Sequence, residues 1–397
     1  MVQESWGSYP ERVSRLGWET ASDRPMAWRA PWRHVDLVLV LAALGLSVLG
    51  CAAVYSSTVA ELRGQGLPGG QLLHRQMISL VVGVLVMLGL SVVDYRRLAA
   101  WAPAVFGAMV LGLVAVLTPL GSTANGAQSW FSLGPFQLQP SEFAKVGVIV
   151  CLAALFTRED GGAVAGRRLA TALAAAGVVA ALILAQPDFG TFLVFVAVLA
   201  GILLVGGVPA RWLAVLVLAG SLAAVGMFQL DVLKDYQKER LTAFINPSAD
   251  AGGRGFSWNY RQSLIAVGSG GLTGTGYLKG PQTNLNYVPE QHTDFVFTVI
   301  AEELGFAGGG LLLALLALVL WRGLRIAALA RDRFGALLAG GVVAMLSFQA
   351  FVNIGMTLGI MPITGIPLPF VSYGGSSLLA SFAAIGLLLN VHMRRFL

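Results

Sequence analysis

The stretch DLVLVLAALGLSVLGCAAVY, residues 36–55, carries a charge at its first position and none after it. A helix rising 1.5 Å per residue needs roughly 20 such residues to cross a hydrocarbon layer about 30 Å thick. The apolar residues run continuously rather than alternating, and an open strand would leave unpaired backbone groups in lipid, so a membrane helix is favoured over a barrel strand. Outward from this segment, comparable runs recur near 76–93, 99–117, 141–157, 169–186, 188–207, 212–230, 293–321, 335–360 and 375–393. The expectation is an all-α integral membrane protein of about ten transmembrane helices.

Composition agrees. Of 397 residues, 56% are hydrophobic and 12% charged, with a mean hydropathy of +0.75, more apolar surface than one water-soluble core can bury. The net charge of +6 does not point to nucleic acid, because the basic residues sit singly or in pairs at the ends of apolar runs. Arg96, Arg97, Arg167, Arg168, Arg322, Arg325, Arg331 and Arg333 fall in alternate connections. The positive-inside tendency makes those connections cytoplasmic and places both termini on that side. Residues 1–35 are polar, contain Pro10, Pro25 and Pro31, and read as a retained cytoplasmic tail rather than a signal peptide. Residues 36–397 then form one polytopic domain. Cys51 and Cys151 lie inside apolar runs and read as small core residues.

On this topology the remaining connections face outward. Those at 118–140 and 361–374 hold no charged residue, whereas the long connection at 231–292, between the seventh and eighth helices, is Gly-rich and of mixed charge. A loop of that length on an apolar protein is a functional candidate, with a merely solvated loop as the alternative.

Several polar motifs punctuate the outward ends. In Gln139-Pro140-Ser141-Glu142-Phe143-Ala144-Lys145, the proline and the acid are an ordinary helix start. Lys145 lies three residues beyond Glu142 on the same face, and an ammonium at that depth needs a partner or a polar cavity. A structural pair and a ligand-facing pair are both open. Gln186-Pro187-Asp188-Phe189-Gly190-Thr191 repeats the start without the lysine and reads as a cap. The glycine run at 268–276 lacks a preceding strand and a Lys-Ser/Thr pair, so it is no nucleotide loop. It supplies backbone able to pass close to a ligand or another helix. Ser372-Tyr373-Gly374-Gly375-Ser376-Ser377 reads either as a polar turn with a cap or as a binding segment. In Val288-Pro289-Glu290-Gln291-His292-Thr293-Asp294-Phe295, a helix beginning around Thr293 would place Asp294 in its first turn. A capping carboxylate and a general base for a hydroxyl both fit there. His292 fits either a site or an interfacial imidazole.

Taken in order, these motifs resemble the SEDS family, the polytopic proteins of bacterial shape, elongation, division and sporulation. The resemblance runs from about residue 36 to the end. It also rests on Gly126-Ala127-Gln128-Ser129-Trp130, on Gln262-Ser263-Leu264-Ile265-Ala266-Val267 before the glycine run, and on Pro367-Leu368-Pro369-Phe370-Val371 before Ser372. Gly280-Pro281-Gln282 and Asn353-Ile354-Gly355-Met356-Thr357 resemble the RodA branch more than the FtsW and SpoVE branches.

The resemblance implies a peptidoglycan glycosyltransferase of the bacterial plasma membrane that polymerises lipid II at the outer face, in cell elongation and shape maintenance. It places the family's essential aspartate on Asp294, its tryptophan on Trp130, and its motif acid and lysine on Glu142 and Lys145. Many relatives carry Arg where this chain has Ser129, so a cation's role there does not transfer. Joining sugars needs a base at the acceptor hydroxyl and positive charge where pyrophosphate leaves. Asp294 is the expected base, and Lys145, Arg240, Arg261 and Lys279 are the expected cations. His292, Ser372 and Ser376 are further expected substrate contacts. A divalent cation, Mg²⁺ or Mn²⁺, is expected to be shared with the phosphates, since no dedicated cage is apparent. A class B penicillin-binding protein and elongation-complex membrane proteins are the implied partners. The rival readings are a lipid II flippase, a membrane scaffold and a division-type polymerase.

Overall fold

The computed structural model describes residues 34–124, 127–134, 136–157, 166–216 and 256–395, with the single positions 218, 220, 242 and 244. Helices α1 (Leu37–Gly64), α2 (Gln71–Val92) and α3 (Tyr95–Val116) lead into a three-stranded antiparallel sheet. Its strands are β1 (Ser122–Ala124), β2 (Ala127–Leu133) and β3 (Phe136–Leu138). Then come α4 (Pro140–Thr157), α5 (Gly166–Ala185), α6 (Phe189–Val205), α7 (Phe256–Ser269) and the short α8 (Pro281–Asn284). Helices α9 (Val296–Ala328), α10 (Arg333–Thr357) and α11 (Gly375–Arg394) complete the chain. Among the described residues, eight helices are long and apolar enough to cross a membrane, and α6 is a shorter apolar helix. The span expected at 212–230 is helical over 210–216, and most of its remainder lies outside the described residues.

Helix starts follow the sequence. Asp36, Asp94, Asp188 and Asp332 cap α1, α3, α6 and α10, each carboxylate accepting from a backbone amide of the first turn. Helices α10 and α11 are mostly buried inside the bundle, whereas α3 and α5 turn most of their surface outward. That division matches a solvent of lipid, which tolerates apolar side chains on the outer helices.

One end of the bundle carries a cluster of arginines paired across helices. There Arg322 pairs with Asp36, Arg96 with Asp332 at 3.2 Å and Arg394 with Asp94 at 3.3 Å, while Arg333 donates to the Gly206 carbonyl at 3.0 Å. Some twenty residues along α1 from Asp36, or roughly 30 Å, the Ser56 hydroxyl donates to Glu303 at 2.5 Å. Two polar ties therefore join α1 to α9 at about the separation of the two faces of a hydrocarbon layer.

Helix α9 is broken at Gly305, whose φ of 66° and ψ of −160° are not helical. The amides of Phe306 and Ala307, which would have bonded back along the helix, donate instead to the carbonyls of Gly271 and Leu272, at 2.9 and 3.1 Å. The freed carbonyls of Glu302 and Glu303 accept from the amides of Thr275 and Gly276, at 2.9 and 3.1 Å. The glycine run thus replaces the missing turn and leaves these backbone groups paired, as burial requires. Its closeness to the helix demands small residues: a Cβ at Gly270 would collide with the Ala301 carbonyl, and one at Gly274 with that of Glu303.

The connection between α10 and α11 turns back into the bundle. A Cβ on Gly50, near the middle of α1, would stand 2.5 Å from the Val371 carbonyl. Phe370 within this connection has a φ of 68°, a left-handed conformation that an L residue keeps only where its surroundings fix it.

Candidate active site

Asp294 does not lie in the first turn of α9, as its sequence context suggested. That helix starts at Val296, its N-cap is Phe295, and no side chain caps it. The Asp294 amide instead closes a turn onto the Glu290 carbonyl at 2.9 Å, with Glu290 itself held at a φ of 51°. The start lies three residues beyond the expected Thr293, where Phe295 and Val296 bury their side chains in the bundle. The capping role is thereby removed for Asp294, which sits partly exposed where α9 emerges.

Several of the motifs meet at the connection between α10 and α11, which passes beside Asp294. A Cβ on Gly365, at φ 74°, would stand 3.5 Å from the Asp294 carboxylate. The Tyr373 amide donates to the His292 carbonyl at 2.9 Å, and the two rings lie 5.6 Å apart. The third motif enters through Gly190, whose Cβ would press on the Thr364 carbonyl at 2.6 Å. Asp188 both caps α6 and accepts from Gln139 at 3.1 Å. Ser376 accepts from the Gln139 amide at 2.9 Å and donates to the Gln137 carbonyl at 3.2 Å, tying β3 to α11. Ser372 accepts from the Leu368 amide at 2.8 Å, so both serine hydroxyls are engaged in holding the backbone.

Trp130 lies half-buried on β2 opposite Ser122. Its neighbour Ser129 is buried and donates to the Gln186 carbonyl at 3.3 Å. Glu142 and Lys145 form a buried pair at 2.7 Å, with side chains 4% and 2% exposed. Arg261 and Lys279 are exposed, on α7 and beside α8 respectively, and Arg240 lies outside the described residues. His292 is held below its ordinary pKa of 6.5 by burial, against the pull of Glu290 and Glu61.

Among the described residues, no group of three or more His, Cys, Asp or Glu could hold a metal ion. Asn353 Oδ1, on the side chain whose amide donates to the Asp294 carbonyl, and Thr364 Oγ1, one residue before Gly365, are buried without a hydrogen-bond partner. Such a set suits a hard cation held largely by phosphate oxygens, and no protein cage. An apolar groove of about 390 Å³ between α9 and α10 is lined by Leu313, Leu316, Leu320, Phe351, Ile354 and Leu358 among others, and Asp294 is not in its walls.

Three features escaped the sequence: the sheet, α7 with α8, and the buried acids Glu302 and Glu303. The acids had a signal, two adjacent carboxylates inside an apolar run, where ionisable residues are costly.

Fold and site together define a class: a multi-pass membrane protein in which the turn carrying Asp294 is tied to the connection between α10 and α11, at the end of the bundle away from the paired arginines Arg96, Arg322 and Arg394. The chain belongs to the FtsW, RodA and SpoVE family, whose model, described as "Cell cycle protein", matches residues 36–396. The peptidoglycan glycosyltransferase MrdB of Escherichia coli K12 is 36% identical over 362 residues, covering 91% of this chain and 94% of its own. Stage V sporulation protein E of Bacillus subtilis is 38% identical over 358 residues, covering 90% and 96%. Among solved structures, a chain of a peptidoglycan synthase complex that coordinates polymerization and crosslinking aligns with a TM-score of 0.76 at 34% identity, over 92% of this chain and 99% of that one. The crystal structure of Thermus thermophilus RodA aligns with a TM-score of 0.67 at 33% identity, over 93% and 100%.

Proposed function

We propose that this protein is a peptidoglycan glycosyltransferase that polymerises lipid II at the outer face of the bacterial plasma membrane, with Asp294 as its general base. The observation that carries the assignment is that the Asp294 carboxylate stands outside its helix, against the connection between α10 and α11 that several family motifs hold in place. The acceptor's 4-hydroxyl oxygen attacks the anomeric carbon of the donor as the bond from that carbon to polyprenyl pyrophosphate breaks. The hydroxyl proton passes to the Asp294 carboxylate, and the electron pair leaves with the pyrophosphate.

The growing charge on that leaving group needs fixed positive charge. Lys145 is the cation most firmly built into the fold, and Glu142 already neutralises part of it. Arg261 and Lys279 are free to swing toward a head group, being exposed. A divalent cation carried with the phosphates would supply Lewis-acid charge at the same place, with Asn353 Oδ1 and Thr364 Oγ1 as the nearby oxygens able to accept it. His292, its ring tilted against that of Tyr373 and its carbonyl accepting from the Tyr373 amide, serves to hold the turn before Asp294.

Elongation and shape maintenance are the role supported by the RodA-like Gly280-Pro281-Gln282 and Asn353-Ile354-Gly355-Met356-Thr357. The crosslinking partner, a class B penicillin-binding protein, is supported by the synthase complex that this chain resembles. The test is purified protein with that partner and lipid II, with glycan chains followed on a gel. Polymer is expected. Folded protein that moves lipid II across sealed vesicles and makes no polymer would replace the enzyme reading with the flippase.

A further inference from the structure

Glu302 and Glu303 follow one another on α9 and are 0% and 2% exposed. The chemistry above uses neither. Glu302 closes the start of α8: one carboxylate oxygen accepts from the Gln282 amide at 2.7 Å, the other from the Thr283 amide at 3.0 Å and the Thr283 hydroxyl at 2.7 Å. Glu303 accepts from Ser56 on α1, and its side chain packs so close to Gly280 that a Cβ there would stand 3.2 Å from Glu303 Cγ. The main-chain carbonyls of the same two residues, freed by the break at Gly305, hold Thr275 and Gly276. The Glu302 side chain and both carbonyls of one dipeptide therefore grip residues 275–283, while the Glu303 side chain ties the dipeptide to α1.

That grip reaches Asp294 along two routes. One is the segment of α9 before the break, Val296–Leu304, whose first residue follows Asp294 by two positions. The other is the loop: the Gln291 side chain donates to the carbonyls of Thr283 and Ser57, at 3.0 and 3.1 Å, one residue after Glu290, whose carbonyl receives the Asp294 amide. Buried carboxylates are costly, and apolar packing would hold a loop as firmly. What three directed hydrogen bonds add is a fixed orientation, and orientation is what a base aimed at a hydroxyl requires.

We infer that Glu302 is a positioning residue for the reaction at Asp294, clamping the segment that approaches the base, while Glu303 ties the dipeptide to α1. The inference rests on Asp294 being the base. Its test uses the full chain with its partner transpeptidase, and compares wild type, Glu302→Gln, Thr283→Val and the double variant. Glu302→Gln keeps the shape and presents an amide to donors; Thr283→Val removes one donor and stays informative if the first variant does not fold. Amide exchange over 275–286 is expected to quicken in Glu302→Gln. Turnover at saturating lipid II should fall about tenfold or more, with KM within about twofold. Thr283→Val should show a smaller loss, and the double variant no more than Glu302→Gln alone. Polymer from wild type and none from Asp294→Asn establish the base separately. With both in hand, quickened exchange with unchanged turnover overturns the positioning role, and unchanged exchange overturns the clamp itself.

Discussion

The Asn353 side-chain amide donates to the carbonyl of Asp294 at 2.9 Å and to that of Ile366 at 2.8 Å. One fully buried side chain on α10 thus ties the base-bearing turn to the connection that brings the other motifs to it. Replacing it with Leu keeps the volume and strands two buried carbonyls, at about 1–3 kcal/mol for each. Asn353→Leu is expected to melt earlier in detergent and to polymerise at least about tenfold more slowly. Equal melting and equal polymer would show that the tie is dispensable.

The Glu142–Lys145 pair can be separated into its two readings. Removing one member leaves a buried charge, at roughly 3–5 kcal/mol, whereas replacing both with apolar residues of similar size is often near neutral. Lys145→Met alone should therefore be strongly destabilised, and Glu142→Leu with Lys145→Met should recover most of the loss. If Lys145 also faces pyrophosphate, the stable double variant still makes little glycan. Thermal unfolding and the polymer gel, run on the same preparations, read the two effects apart.

Protonation of His292 gives a dependence on pH. Burial holds its folded pKa below 6.5, so the unfolded chain takes up the proton first. Its contribution to stability is complete above that value and is lost as pH falls through the folded pKa. His292→Asn should lessen the fall in melting temperature below about pH 6.5. An identical acid limb in the two proteins would remove His292 from the account.

How far the fold could be read follows from what lipid demands. The apolar runs gave most spans to within a few residues, for instance 141–157 against Pro140–Thr157, because length and charge alone decide a membrane helix. Beyond the membrane those constraints lapse. The strands at 122–138 lie in a stretch without charge, and α7 lies in one of mixed charge, so neither had a period to betray it. The break at Gly305 sits inside an apolar run and depends on the glycine run pairing with it from about thirty residues away, which no local pattern reveals. Within the site, Asp188 caps its helix as read, and Asp294 does not. The start of α9 was decided by burial of Phe295 and Val296, a tertiary effect.

The most direct measurement is glycan polymerisation from lipid II by Asp294→Asn, beside wild type, with equal melting temperatures and equal binding of the partner transpeptidase. Asparagine keeps the size and loses the base. The account predicts folded protein that binds its partner and makes no glycan above background. Polymer at the wild-type rate from Asp294→Asn would contradict it.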